Sequence, residues 1–110
     1  MSGNPDAASE GSVVDDKVVI HGRITFENSG EMRKTLASAL RKKSATVSVD
    51  LSGVTYLDTS GWATLVEAVR IARKQGTRLE LSGIRDQPRY IFEIMHLDRL
   101  FEVATPEANK

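Results

Sequence analysis

Thr46-Val47-Ser48-Val49-Asp50-Leu51-Ser52-Gly53-Val54-Thr55-Tyr56-Leu57-Asp58-Thr59-Ser60-Gly61 is the stretch whose reading decides the fold. From Thr46 to Leu51, Val47, Val49 and Leu51 alternate with Thr46, Ser48 and Asp50, which predicts a strand with one buried face. The alternation lapses at Ser52-Gly53, so Val54, Tyr56 and Leu57 are read as a short connection. Asp58-Thr59-Ser60-Gly61 is a dense polar junction, and a helix follows from about Ser60 to Gln75. Trp62, Leu65, Val66, Val69 and Ala72 form its apolar stripe, while Thr64, Glu67, Arg70 and Lys74 lie largely off it. Gly76 stands where a glycine would end such a helix.

Working outward, Arg78 to Ser82 predicts another strand on Leu79 and Leu81. A third helix starts near Asp86, with Pro88 in its first turn and Ile91, Phe92, Met95 and Leu97 as its buried face. Leu100-Phe101-Glu102-Val103 is a last short apolar run. Upstream, Val13-Val14 and Val18-Val19-Ile20 read as a hairpin turning at Asp15-Asp16-Lys17. Gly22 punctuates, Ile24 and Phe26 follow, and Asn28 with Glu31 has the spacing of a capping box. It opens a helix on Met32, Leu36, Ala39 and Leu40, closed by Arg41-Lys42-Lys43 at its negative end. Two paired strands, then helix and strand in alternation, imply an α/β sandwich with one mixed sheet.

Composition bounds what such a domain can do. The chain has 110 residues, 15 basic and 15 acidic side chains and no cysteine, enough for one core. Lacking cysteine, it has no thiol nucleophile, redox motif or Cys-based zinc site, and it suits a reducing cytoplasmic location. Zero net charge argues against a nucleic-acid partner. No apolar run approaches the roughly 20 residues of a spanning helix, and the first residues do not read as a signal peptide, so no direct membrane insertion is expected. The neutrality is uneven: residues 1–16 hold Asp6, Glu10, Asp15 and Asp16 with no Lys or Arg. Residues 1–12 read as a disordered acidic tail, 13–104 as the domain, and 105–110 as a frayed end.

The polar junction has two readings. Asp, Thr and Ser are favoured caps for the first free amides of a helix. An exposed hydroxyl at a helix amino terminus is also a site where the dipole and amides favour an added phosphate. One hydroxyl can do each. Trp62 reads either as a core anchor or as a partly exposed contact beside Ser60, and Arg70, Arg73 and Lys74 as a solvated helix end. Enzyme readings fare worse. A nucleophile elbow needs a glycine two places before Ser60, and Asp58 stands there; His21 and His96 are the only histidines, and no phosphate-binding Gly-rich loop occurs. Two histidines without cysteine give no metal signature. A response-regulator receiver is set aside because Asp15-Asp16 is read in a turn.

The run Val49 to Gly61, with the following helix and Leu97-Asp98-Arg99-Leu100-Phe101, resembles the STAS domain of bacterial anti-sigma factor antagonists. The resemblance spans roughly Val13 to Val103. It implies a STAS-type α/β domain with a mixed sheet of four to five strands and helices packed mainly on one face. By resemblance, Ser60 matches the phosphorylated serine, with Thr59 as a secondary acceptor, Asp58 the acidic residue two places before it, and Gly61 the glycine giving a partner close access. The implied partner surface is Asp58, Thr59, Ser60, Gly61, Trp62 and Thr25. The implied partners are an anti-sigma factor that is also a serine protein kinase, which itself binds ATP, and a metal-dependent serine phosphatase. No cofactor of the chain's own is implied. Three positions depart from the family: Thr25 replaces an aspartate, Thr59 a frequent second serine, and Trp62 an aliphatic residue. The alternative job on the same fold is a cytoplasmic accessory subunit docking to a lipid or anion transporter, many of which lose the serine at the Ser60 position.

Overall fold

The computed structural model describes residues 15–103. In chain order these form β1 (Asp15–Ile24), α1 (Ser29–Arg41), β2 (Thr46–Leu57), α2 (Thr59–Gln75), β3 (Arg78–Ser82), α3 (Asp86–Ile94), a 3-10 turn (Leu97–Arg99) and β4 (Glu102–Val103). Among the described residues the sheet has four strands in the order β1-β2-β3-β4. All three pairings are parallel. Parallel neighbours need crossovers, which α1, α2 and α3 supply.

β2 is one strand of 12 residues, where the sequence suggested a strand and a connection. The lapse in alternation has a geometric cause. Val19 faces Asp50 but His21 faces Gly53, and Gly22 faces Val54 but Arg23 faces Tyr56. Each shift leaves one extra residue in β2, a β-bulge. Buried positions therefore pass from Val47, Val49 and Leu51 to Val54 and Leu57 in steps of three. A rule of alternation stops at the first bulge.

β1 also corrects the reading. Asp15, Asp16 and Lys17 lie within the strand rather than in a turn, paired with Thr46, Val47 and Ser48. They fit its phase: Asp16 takes the half-buried face shared with Val18 and Ile20, while Lys17 takes the open face shared with Val19 and His21. Lys42 Nζ lies 3.2 Å from the Asp16 carboxylate, which offsets the charge at that inner position. The proposed first arm of the hairpin, Val13-Val14, the tail 1–12 and the end 105–110 lie outside the described residues. The antiparallel part of the expected mixed sheet rested on that arm.

α1 and α2 cover one face of the sheet. Met32, Leu36 and Leu40 from α1 and Leu65, Val69 and Ala72 from α2 meet Val47, Val49, Leu51 and Leu81 in one core. Ile24, Leu57 and Ile84 extend it, and Leu36, Leu51, Leu57, Leu65 and Leu81 are among its largest fully buried side chains. Truncating any of these leucines should cost roughly 2–5 kcal/mol. α2 ends as expected at Gly76, whose φ of 81° places the cap in the left-handed region. α3 starts at the expected place but stops at Ile94. His96 follows with φ 56°, so the helical spacing lapses, and Met95 is exposed rather than buried.

α3 is also tied to the free side of β2. β3 pairs with Thr46 to Asp50, which leaves the far half of β2 without a strand neighbour on that side among the described residues. Gln87 supplies one: its Oε1 accepts from Leu57 N–H at 2.9 Å, and its Nε2 donates to Leu57 C=O at 3.1 Å. A primary amide carries a donor and an acceptor side by side, so it can stand in for a strand.

Candidate functional site

Leu57, the last residue of β2, is buried and fixed by Gln87, so the chain must leave the sheet at Asp58. Asp58 is the N-cap of α2, with extended backbone. Its Oδ1 accepts from Gly61 N–H at 3.1 Å and from the Ser60 hydroxyl at 2.7 Å. Its Oδ2 accepts from Phe26 N–H at 3.0 Å. Its own N–H donates to Ile24 C=O at 3.1 Å. One carboxylate thus joins the end of β2, the start of α2 and the loop after β1. These donors hold the Asp58 carboxyl below the usual carboxylate range, the Ser60 hydroxyl above all, with partial desolvation opposing.

Asp58 therefore does the capping. Ser60 is half-buried, and its hydroxyl proton is given to Asp58, which leaves the oxygen's lone pairs for an electrophile. Thr59, the first helical residue, is exposed. Both hydroxyls sit at the positive end of the helix dipole. Among the described residues Ser60 Oγ bonds only Asp58, and neither His21 nor His96 reaches it.

Gly61, matched by resemblance to a glycine that gives a partner close access, packs against the sheet end. It is buried, and a Cβ there would lie 2.7 Å from Leu57 Cδ2 and 3.3 Å from Ile24 Cγ2. Its missing side chain lets α2 seat against the sheet end and brings its N–H to Asp58. Trp62 is 8% exposed and takes the core role. Its ring stands 6.3 Å from Phe92 and 6.1 Å from Phe101, spacings at which tilted aromatic rings attract.

Thr25 lies beside this junction but serves the turn. Its hydroxyl accepts from Glu27 N–H at 3.2 Å, and its carbonyl from Asn28 and Ser29 N–H at 3.0 and 2.8 Å. The capping box expected at Asn28 is not formed. Asn28 Oδ1 accepts from Thr25 N–H and its Nδ2 donates to Arg23 C=O, so this side chain closes the turn instead of capping α1.

Two neighbours escaped the sequence reading. Gln87 has no local signature, because its partner is 30 residues away. Phe26 was read only as an apolar residue following Ile24, but it is 76% exposed while Asp58 holds its N–H. Arg23 lies over the Tyr56 ring at 4.4 Å, adding a cation beside the same sheet end.

A family profile described as "Mlab, STAS domain" matches residues 8–102. The chain belongs to the STAS domain family. This STAS domain is 26% identical over 90 residues to a protein named anti-sigma-B factor antagonist from Listeria monocytogenes, covering 82% of the chain and 79% of that protein. Its fold matches the crystal structure of an anti-sigma factor antagonist from Mycobacterium paratuberculosis, with TM-score 0.75, 17% identity, and coverage of 87% and 80% of the two chains. It also matches the structure of a sulfate transporter family protein from Wolinella succinogenes, with TM-score 0.69, 23% identity, and coverage of 92% and 86%. The STAS fold thus serves proteins of both names, and the residues at the end of β2 must decide between their roles.

Proposed function

We propose that this STAS domain is an anti-sigma factor antagonist switched by phosphorylation of Ser60. The observation carrying this reading is the hydroxyl of the part-buried Ser60 at the start of α2, oriented by Asp58 at 2.7 Å. Unphosphorylated, the domain binds an anti-sigma factor through the surface around Asp58, Thr59, Ser60 and the Thr25 turn, and so frees a sigma factor. The anti-sigma factor is itself a serine kinase that holds ATP. Ser60 Oγ attacks the γ-phosphorus, the bond to the bridging β,γ-oxygen breaks, ADP leaves, and the hydroxyl proton passes to the kinase's base. Asp58 positions the hydroxyl; its depressed pKa makes it a poor base. A phosphate near −2 then stands beside the Asp58 carboxylate in the contact surface, and repulsion with desolvation cost ends the complex. A serine phosphatase restores the binding form.

Incubation with the cognate kinase and ATP, followed by intact-mass and fragment analysis, tests the assignment. One phosphate on wild type, located at Ser60 and absent from Ser60→Ala, is the expected result. Full labelling of Ser60→Ala would shift the acceptor to Thr59 or elsewhere. No helix among the described residues is long and apolar enough to cross a membrane, and we place the protein in the cytoplasm with its partners. The fold shared with the Wolinella succinogenes protein supports a second reading, docking to a lipid or anion transporter. The hydroxyl at Ser60 favours the switch. Genes for a histidine-kinase-like ATPase or a sigma factor beside this one would support it, and permease genes the alternative.

A further inference from the structure

Phe26 is, at 76%, the most exposed large apolar residue among those described. Single apolar residues on a surface need no explanation, but this one stands on a built turn. An apolar residue just ahead of a helix often folds back onto the helix's first turns. Phe26, two places before the N-cap Asn28, does not, and Met32 is buried without it.

The turn that carries Phe26 is fixed along its length. Ile24 on one side and Ser29 on the other are buried. Between them, Asn28 Oδ1 accepts from Thr25 N–H at 2.8 Å and Asn28 Nδ2 donates to Arg23 C=O at 2.9 Å. Thr25 Oγ1 accepts from Glu27 N–H at 3.2 Å. The N–H of Phe26 itself donates to Asp58 Oδ2 at 3.0 Å, the carboxylate whose Oδ1 takes the Ser60 hydroxyl. The backbone under the ring is thus set before a partner arrives, so seating the ring costs little more than side-chain freedom. Because one carboxylate ties Phe26 to Ser60, a protein surface that covers the Ser60 hydroxyl also meets the ring. Arg23, at the foot of the same turn, is exposed, with its guanidinium 4.4 Å from the centre of the Tyr56 ring. Phenylalanine and arginine are both enriched where proteins bury surface against one another.

We propose that Phe26 anchors the contact with the anti-sigma factor: its ring enters an apolar pocket on that partner, and Arg23 pairs with an acidic side chain at the pocket's rim. The inference rests on the antagonist reading and adds to it the residue that carries the affinity and the chemistry of the facing surface.

Calorimetry of the anti-sigma factor with the unmodified full chain and its variants tests this. Phe26→Ala should weaken binding at least about thirtyfold, and Phe26→Leu, which restores apolar bulk, should recover most of the loss. The Phe26→Ala loss should be alike at low and high salt, whereas a smaller loss from Arg23→Ala should shrink as salt rises. Val19→Ala, at a 58% exposed apolar position of β1, is the control and should bind as wild type does. The positions are exposed, so every variant should keep the wild-type urea midpoint. Phe26→Ala binding within about threefold of wild type, a loss that Phe26→Leu leaves unrestored, or an equal loss from Val19→Ala overturns the proposal. Wild type that does not bind the anti-sigma factor overturns the antagonist reading and the anchor together. If phosphate at Ser60 releases the partner while Phe26→Ala binds undiminished, the anchor alone fails; if Phe26→Ala loses binding while the phosphate changes nothing, the anchor stands and the Ser60 switch fails.

Discussion

Asp58 accepts hydrogen bonds from Ser60, Gly61 and Phe26 with a single carboxylate, so its charge state sets the geometry of the whole junction. Its depressed pKa means that the folded chain keeps this group ionised to lower pH than the unfolded chain, which binds the proton first as pH falls. The associated stability is complete at neutral pH and is lost as pH drops through the ordinary carboxylate range toward the depressed value. Asp58→Asn should flatten this part of the acid limb in urea melts between about pH 7 and about pH 2. Part of the limb should persist through Asp50, which is lowered by the Ser52 N–H and hydroxyl. Ser60→Ala removes the largest cause of the Asp58 shift and should move its titration upward, as carboxyl carbon NMR would show. An unmoved Asp58 titration in that variant would detach Ser60 from the carboxylate.

At the scale of elements, the join between β2 and α3 depends on one side chain. Gln87→Ala leaves the N–H and C=O of Leu57 unpaired and should cost roughly 1–3 kcal/mol in chemical denaturation. Gln87→Glu should be no better, since an ionised carboxylate cannot donate to Leu57 C=O. A loss within about 0.3 kcal/mol for Gln87→Ala would show that water replaces the amide freely. At the helix end, Gly76→Ala should cost about 1 kcal/mol because φ is 81°. Elements defined by local pattern were readable in advance: α2 from its apolar stripe and Gly76, β3 from Leu79 and Leu81, the start of α3 from Asp86 and Pro88. The resemblance, rather than any local pattern, grouped Thr25 with Asp58 and Ser60, and the three lie at one sheet end. What local pattern could not carry was relational. The bulges of β2 exist only against β1, the polar start of β1 reads as a turn until it is paired, and Asn28 spends its amide on Arg23 and Thr25 instead of on its helix. Gln87 and Phe26 gain their meaning from partners about 30 residues away.

On the scale of the whole molecule, zero net charge divides into an acidic segment before residue 17 and a remainder richer in Lys and Arg. Against that mildly basic remainder, one phosphate at Ser60 is a large local change, yet it falls at a helix amino terminus where free amides and the dipole favour an anion. The core beneath, around Leu57, Leu65 and Val54, does not depend on the Ser60 hydroxyl. Ser60→Asp should therefore keep the circular dichroism spectrum and the cooperativity of melting while weakening the partner complex. The most direct measurement is the affinity of the anti-sigma factor for the unmodified chain and for the chain phosphorylated at Ser60, by calorimetry at matched salt. Tight binding of the unmodified chain, weakened at least about a hundredfold by the phosphate, is the result expected if some 3 kcal/mol of contact is lost. Equal affinity of the two forms, with the fold intact in both, would contradict a phosphorylation switch at Ser60.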